Sequence, residues 1–589
     1  MTIACTTLSA PRSLLMLVGT LCACLTASAQ VGELLWEESF DDLDNWIIET
    51  GNGNWGWGNG ELEFYSPDNV EIVPIPGEPG NNGLRITARA ESGPGIVDQW
   101  GNPLSFTSGR ISSKSFVSIQ YGMVEVRVRV PDLDMGGWPA IWMLGTSNLG
   151  WPANGEIDLM EMGWREEFRD LHDSHNGGNG LGNSTVNQVT GGNALWEVDG
   201  QAANLAWDPD DQYCRPYYRY DPPLTGEFMR YRLYWDDSSL RFVVVDGENE
   251  IDLYTEPFQF DADAEEFLQP FYMILNMAIG GQFTDAATAQ EVSMPLPAEL
   301  LVDYIHVYSW NGMGRVSLGP PTPESGRLGL YTETTPVTRT LVPGEDSEIY
   351  VWEGTLADGS DEPWEGENVL SWQTTGAGWF GAGIMSVQPL NLFDFGDGWL
   401  NFRIRIPANV SFRIGIIDGW GNQNYVDFPG NQTTWGLVRD GNWGQAQIPT
   451  SALRGQLIDL RMLSYGFVIL EVNGAACNFA LDDIYWDAGE TAVQDPTPGQ
   501  PIDFGLTGIQ PNPFNPSTRI DFQLPAAGRI QLTVHDLQGR RLAVLADRVM
   551  PAGAHRVNWT PSTEASGMYF IRLESESGRV DLRKCLYVK

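Results

Sequence analysis

Apolar and polar residues alternate with period two along most of this chain, in short runs broken by glycine, asparagine, aspartate or proline. Residues 122–131 (GMVEVRVRVP), 399–406 (WLNFRIRI) and 479–486 (FALDDIYW) are examples. Successive strand residues face opposite sides of a sheet, so the pattern reads as strands with one buried and one open face. Many short strands with regular turn signals mean sandwiches or barrels, and no segment of useful length carries a helical period. The predicted fold class is all-β, and the 42% hydrophobic and 11% aromatic content is enough to fill its cores.

A chain of 589 residues exceeds one core. Pro-rich stretches without apolar periodicity mark linkers at 313–326 and 489–503. They separate three predicted β domains, at 31–312, 327–488 and 504–589. Residues 1–29 contain Arg12, an apolar run from Leu14 to Leu25 and the small residues Ala27, Ser28 and Ala29. That is the three-part pattern of a cleaved secretory signal, although Leu21-Cys22-Ala23-Cys24 loosely resembles a lipoprotein processing site. Without it the chain keeps Cys214, Cys477 and Cys585, too few and too scattered for a disulfide framework or a zinc site. The formal charge is −43, and Lys114, Lys584 and Lys589 are the only lysines. Such a surface repels nucleic acid and favours a neutral polymer over a sulfated one as partner.

Chemistry is concentrated in 151–162 (WPANGEIDLMEM), where Glu156, Asp158 and Glu161 interrupt an apolar strand. On a regular strand Glu156 and Asp158 share a face and Glu161 points away; a β-bulge near Leu159 and Met160 returns Glu161 to the others. Two glutamates flanking an aspartate then suit a retaining glycosidase, in which one attacks the anomeric carbon and the other protonates the leaving oxygen. A solvated acidic edge or a calcium site is the plainer alternative. Against it stand Trp138, Trp142 and Trp151 close by, aromatic rings of the kind that stack on sugars.

With these residues the first domain resembles glycoside hydrolase family 16, of the laminarinase type. The similarity runs through 57–65 (WGNGELEFY), 108–114 (SGRISSK), 136–142 (GGWPAIW), 276–281 (NMAIGG) and 302–308 (VDYIHVY). The resemblance implies a β-jelly roll with an open cleft and internal attack on a β-1,3-glucan, with mixed 1,3-1,4 linkages tolerated. It makes Glu156 the nucleophile, Asp158 the assisting carboxylate and Glu161 the acid/base, with Asn59 and Arg110 as further substrate contacts. No cofactor is needed for this chemistry. A family-like structural calcium held by Glu38 and Asp303 is an expectation beside the alternative of two ordinary acids. The sequence departs from the family after Glu161, where an insertion from Trp164 to Gly192 carries His172 and His175, to which no role is assigned. It departs again at Gln282-Phe283, where many relatives have a tryptophan.

The middle domain resembles a jelly-roll carbohydrate-binding module rich in tryptophan, as in Asp418-Gly-Trp420-Gly-Asn422; the alternative is a spacer whose tryptophans are core. The last domain resembles a type IX secretion sorting domain of small immunoglobulin-like form, through 510–516 (QPNPFNP), 534–540 (VHDLQGR) and 567–573 (GMYFIRL). That implies the type IX machinery as a partner, passage through the outer membrane, and an extracellular or surface location; a plain immunoglobulin-like spacer is the alternative. A monomer is expected. The rival functions are a galactan hydrolase of agarase or carrageenase type and a non-catalytic glycan-binding surface protein.

Overall fold

The computed structural model describes residues 30–91, 96–167, 169, 184–206, 217–220, 222–224, 226–260, 263–474, 476–489, 505–510, 518–525, 528–535, 540–550, 553–559, 561, 567–575 and 579–587. The signal-like segment, Cys214, His172, His175 and most of the 510–516 block lie outside them. Almost every described element is a strand. The chain divides into two compact units, 1–489 and 490–589.

The first unit holds two sandwiches. In the amino-terminal one, an 11-stranded and a 10-stranded sheet bury a common core. Trp235, Phe267 and Phe271 are fully enclosed there, and each large apolar side chain withdrawn from water contributes roughly 1.5–3 kcal/mol. Six strands of the 10-stranded sheet matter for function: β1 (Ile47–Ile48), β2 (Arg110–Ser112), β3 (Gly137–Gly145), β4 (Glu156–Met162), β5 (Val189–Val198) and β6 (Phe271–Ile279). Across the sheet they run β5-β4-β3-β6-β2-β1.

The second sandwich, a 7-stranded against a 5-stranded sheet, has its own core around Phe402, Phe467 and Trp486. The two sandwiches are sewn together: Asn148 donates to the Val387 and Ser386 carbonyls at 2.6 and 3.0 Å. The segment 313–326 is not a free tether. Arg315–Leu318 pairs antiparallel with Val117–Gln120 at the edge of the cleft sheet, and the Glu324 amide bonds to the Asn391 carbonyl. Four residues of alternation are too few to reveal a strand beside six prolines and glycines. The second unit is a sandwich of a 3-stranded and a 4-stranded sheet around Ile520, Leu532 and Ile571.

In β4, Trp142 of β3 faces Asp158 and Ile141 faces Met160, so Leu159 is extra on that side. On the other side Asp158 pairs with Asn193 and Glu161 with Gly191, leaving Leu159 and Met160 opposite Gly192 alone. Ile157, Leu159, Met160 and Met162 all enter the core, and the three carboxylates turn outward together. A Cβ on Gly192 would sit 2.8 Å from the Asp158 carbonyl oxygen and 3.0 Å from the Phe242 ring. We expect Gly192→Ala to cost about 1–3 kcal/mol, the usual range for overpacking, as a lower midpoint in chemical unfolding. An unchanged midpoint would show that the bulge does not depend on the missing side chain.

Candidate active site

Side chains directly across antiparallel strands lie on one face, so the register defines the cleft floor. One row reads Gly191, Glu161, Ala140, Asn276, Arg110; the next Asn193, Asp158, Trp142, Ile274, Ser112; the third Leu195, Glu156, Leu144, Tyr272. The three carboxylates therefore lie along one edge of a floor that continues across β3, β6 and β2.

Asp158 is 4% exposed. Burial, with the charges of Glu156 and Glu161, raises its pKa well above the carboxylate range, and it shares a proton with Glu156. Glu156 is also raised by burial, but the Asp158 proton, the Trp151 indole and Arg110 all act to keep it ionised. Trp151 Nε1 donates to Glu156 Oε2 at 2.9 Å. Glu161 is pushed up to about 8 by burial and by the charge of Glu156, against the Trp138 indole, which donates to Glu161 Oε1 at 3.1 Å. Both glutamates are thus shifted towards the acid, but three groups oppose the shift at Glu156 and only one indole opposes it at Glu161.

Of the aromatic residues predicted to stack on sugar, only Trp151 stays open, 55% exposed. Trp138 does not fit that role: Phe283 stacks on it at 4.6 Å and 10°, and the indole is buried. Phe283 thus occupies the face of Trp138 at the point where the sequence departs from the family. Trp142 is covered by the Arg110 guanidinium, 4.9 Å from its ring and 4.3 Å from that of Trp57. Arg110 is itself buried and paired with Glu49, so it braces the floor instead of reaching substrate. Asn59 donates to Glu61 Oε1 at 3.1 Å. Glu38 and Asp303 are both engaged by protein partners. Glu38 accepts from the Trp46 indole and the Phe40 amide, while Asp303 is salt-bridged to Arg127 and accepts from Asn81. A cation already neutralises Asp303, and among the described residues no cluster of three metal-type ligands is found.

A relay absent from the sequence-based assignment supports the floor. Trp142 Nε1 donates to Asn276 Oδ1 at 2.7 Å, Asn276 Nδ2 to the Tyr65 hydroxyl at 3.1 Å, and that hydroxyl to Glu61 Oε2 at 2.9 Å. Beside it the fully buried Glu63 accepts from the Ile279 amide and is held protonated by burial and by Glu61. Tyr65 and Asn276 fall within the family-like blocks, which was the available signal. A 1140 Å³ cavity lined by Arg129, Arg169 and Asp285 contains none of the three carboxylates.

No protein-family model matches the chain. A glucan endo-1,3-β-glucosidase A1 of Niallia circulans is 28% identical over 293 residues, 47% of this chain and 37% of that protein. A β-glucanase of Rhodothermus marinus is 29% identical over 294 residues, 47% of this chain and 85% of that protein. Over about half its length the chain is similar in sequence to these two glucanases. The laminarinase catalytic domain of Thermotoga maritima, 28% identical, covers 48% of the chain with 99% of its own length, at a TM-score of 0.35. The chain thus spans little more than a third of the Niallia protein but most of the Rhodothermus one.

In this family 16-like domain the folded chain keeps the Glu161 proton up to about pH 8, whereas the unfolded chain releases it near 4.5. The stability Glu161 contributes is therefore complete below about pH 4.5 and lost as pH rises through 8. Glu161→Gln, neutral throughout, should melt with the parent near pH 4 and above it near pH 9; an equal shift at both would refute this. Trp138→Phe removes the donor that favours the Glu161 anion, so the basic limb of the activity profile should move to higher pH.

Proposed function

We propose that this protein is a retaining, endo-acting glycoside hydrolase of β-1,3-glucan, and that Glu156, Asp158 and Glu161 carry the reaction. The observation that supports this most directly is that the three carboxylates share one face of the floor, with more groups favouring the anion at Glu156 than at Glu161. Glu156 attacks the anomeric carbon while Glu161 passes its proton to the departing glycosidic oxygen. A glycosyl ester on Glu156 results. Glu161, now ionised, takes a proton from water, which attacks the same carbon and frees Glu156 with net retention. Asp158, protonated, stabilises the Glu156 carboxylate between turnovers and orients it.

The β-1,3 linkage rests on the activity of the Niallia relative, and the acidic surface favours a neutral glucan. Mixed-linkage glucan is a second substrate under the same reading. The signal-like residues 1–29 and the three terminal sequence blocks support export by a type IX route, and the tryptophan-rich middle domain supports glucan binding.

The test is release of reducing sugar from laminarin, lichenan, agarose and carrageenan by the full chain. Laminarin should be cleaved, and Glu156→Ala or Glu161→Ala should lower turnover by about 10²–10⁴ or more. Glu161→Ala should lose far less on an aryl glucoside whose leaving group needs no proton. Either alanine variant at parental rate, or a first product of inverted configuration, would refute the assignment; cleavage of agarose or carrageenan alone would favour a galactan hydrolase.

A further inference from the structure

The row that begins at Glu156 ends, two strands away, at Tyr272. At about 4.8 Å per strand that is a step of roughly 10 Å. Beyond Tyr272 the floor meets the middle domain, at a cavity of about 320 Å³ lined from both sides. That volume is at the small end of ligand sites, which run from about 300 to 1,000 Å³. Lys114, Ser147, Asn154 and Tyr272 line it from the first domain, and Gly419 and Gly421 from the second.

Three features make this junction a binding site. Ser147 Oγ and Asn154 Oδ1 are buried without any hydrogen-bond partner, which is costly unless something supplies one. Lys114, part of the Tyr272 and Trp420 surroundings, places its Nζ 5.9 and 5.1 Å from those rings and donates to the Gly419 carbonyl at 3.0 Å. Trp420 does not itself line the cavity but stands between two residues that do, Gly419 and Gly421, and stays 39% exposed on a loop held by hydrogen bonds. The buried Asp418 carboxylate accepts from the amides of Trp420, Asn422 and Asp459 and from the Asn422 side chain. Rigid, open aromatic surface beside unpartnered polar atoms is what a sugar ring requires.

We propose that the middle domain completes the cleft: Trp420 and the Ser147–Asn154 wall form a composite subsite for a sugar of the same glucan chain that lies across Glu156. This rests on the β-glucan reading of the cleft. It makes the middle domain part of the substrate site, not a separate anchor.

The test is calorimetric titration of laminarin into the full-length Glu156→Gln chain, alone and with Trp420→Ala, Asn154→Ala and both. Each single change should weaken binding about 3- to 10-fold, and the double change should lose less than the product of the two. Such coupling through the ligand is expected because the two side chains act on one sugar. Melting temperatures of the variants identify any that merely unfold, and Trp420→Phe should restore most of the affinity. No loss from either change, or fully additive losses, would overturn the composite subsite. If the parent releases no sugar from laminarin yet the coupling is seen, the hydrolase reading fails and the subsite stands. If the Glu156→Gln chain does not bind laminarin although the parent cleaves it, the subsite fails and the hydrolase reading stands.

Discussion

One extra residue in one strand determines the site. Without the bulge at Leu159 and Met160, period two would bury Glu161 among Ile157, Leu159 and the rest of the core. An ionised carboxylate there would be costly beyond any nearby compensation. With the bulge, Leu159 and Met160 both point inward and the frame is reset, so three acids within six residues share a face. The partner strand accommodates this by presenting Gly192 to two residues at once, and Tyr254 fixes that glycine by donating to its carbonyl at 2.8 Å.

The rest of the floor is built to hold this arrangement still. Arg110 lies between Trp57 and Trp142 and is anchored by Glu49, so two indoles and a guanidinium form one packed layer. Trp142 transmits that order through Asn276 and Tyr65 to Glu61. Residues that sequence logic assigns to the substrate are therefore largely holding one another. The aromatic surface left for a ligand is displaced outward, to Trp151 on one side and Trp420 on the other.

Much of this was legible in the residues because strand alternation depends only on local pattern. The all-β class follows from spacing; the bulge at Leu159 and Met160 was the condition under which the three acids share a face, and the family resemblance favoured it. Side-chain partners do not follow from spacing. Nothing in the order of residues says that Phe283 will cover Trp138, or that Arg127 will claim Asp303, since both contacts join segments more than a hundred residues apart. The strand Arg315–Leu318 was hidden for a different reason: its pairing partner, Val117–Gln120, supplies the evidence that it is a strand, and its flanking prolines and glycines speak against one.

Burial of the acids explains why the surroundings must be so firmly packed. Glu156, Asp158 and Glu161 are each pushed towards the protonated form by desolvation before any neighbour is considered. If all three responded alike, no nucleophile would remain. The division comes from fixed donors: an indole and a shared proton favour the Glu156 anion, while Glu161 has one indole set against the charge of Glu156 itself. Ionising Glu156 is thus what keeps Glu161 protonated until a leaving oxygen needs the proton. The nucleophile and the acid are not two independent tunings but one electrostatic coupling, and its strength depends on a sheet that holds both carboxyls on one face.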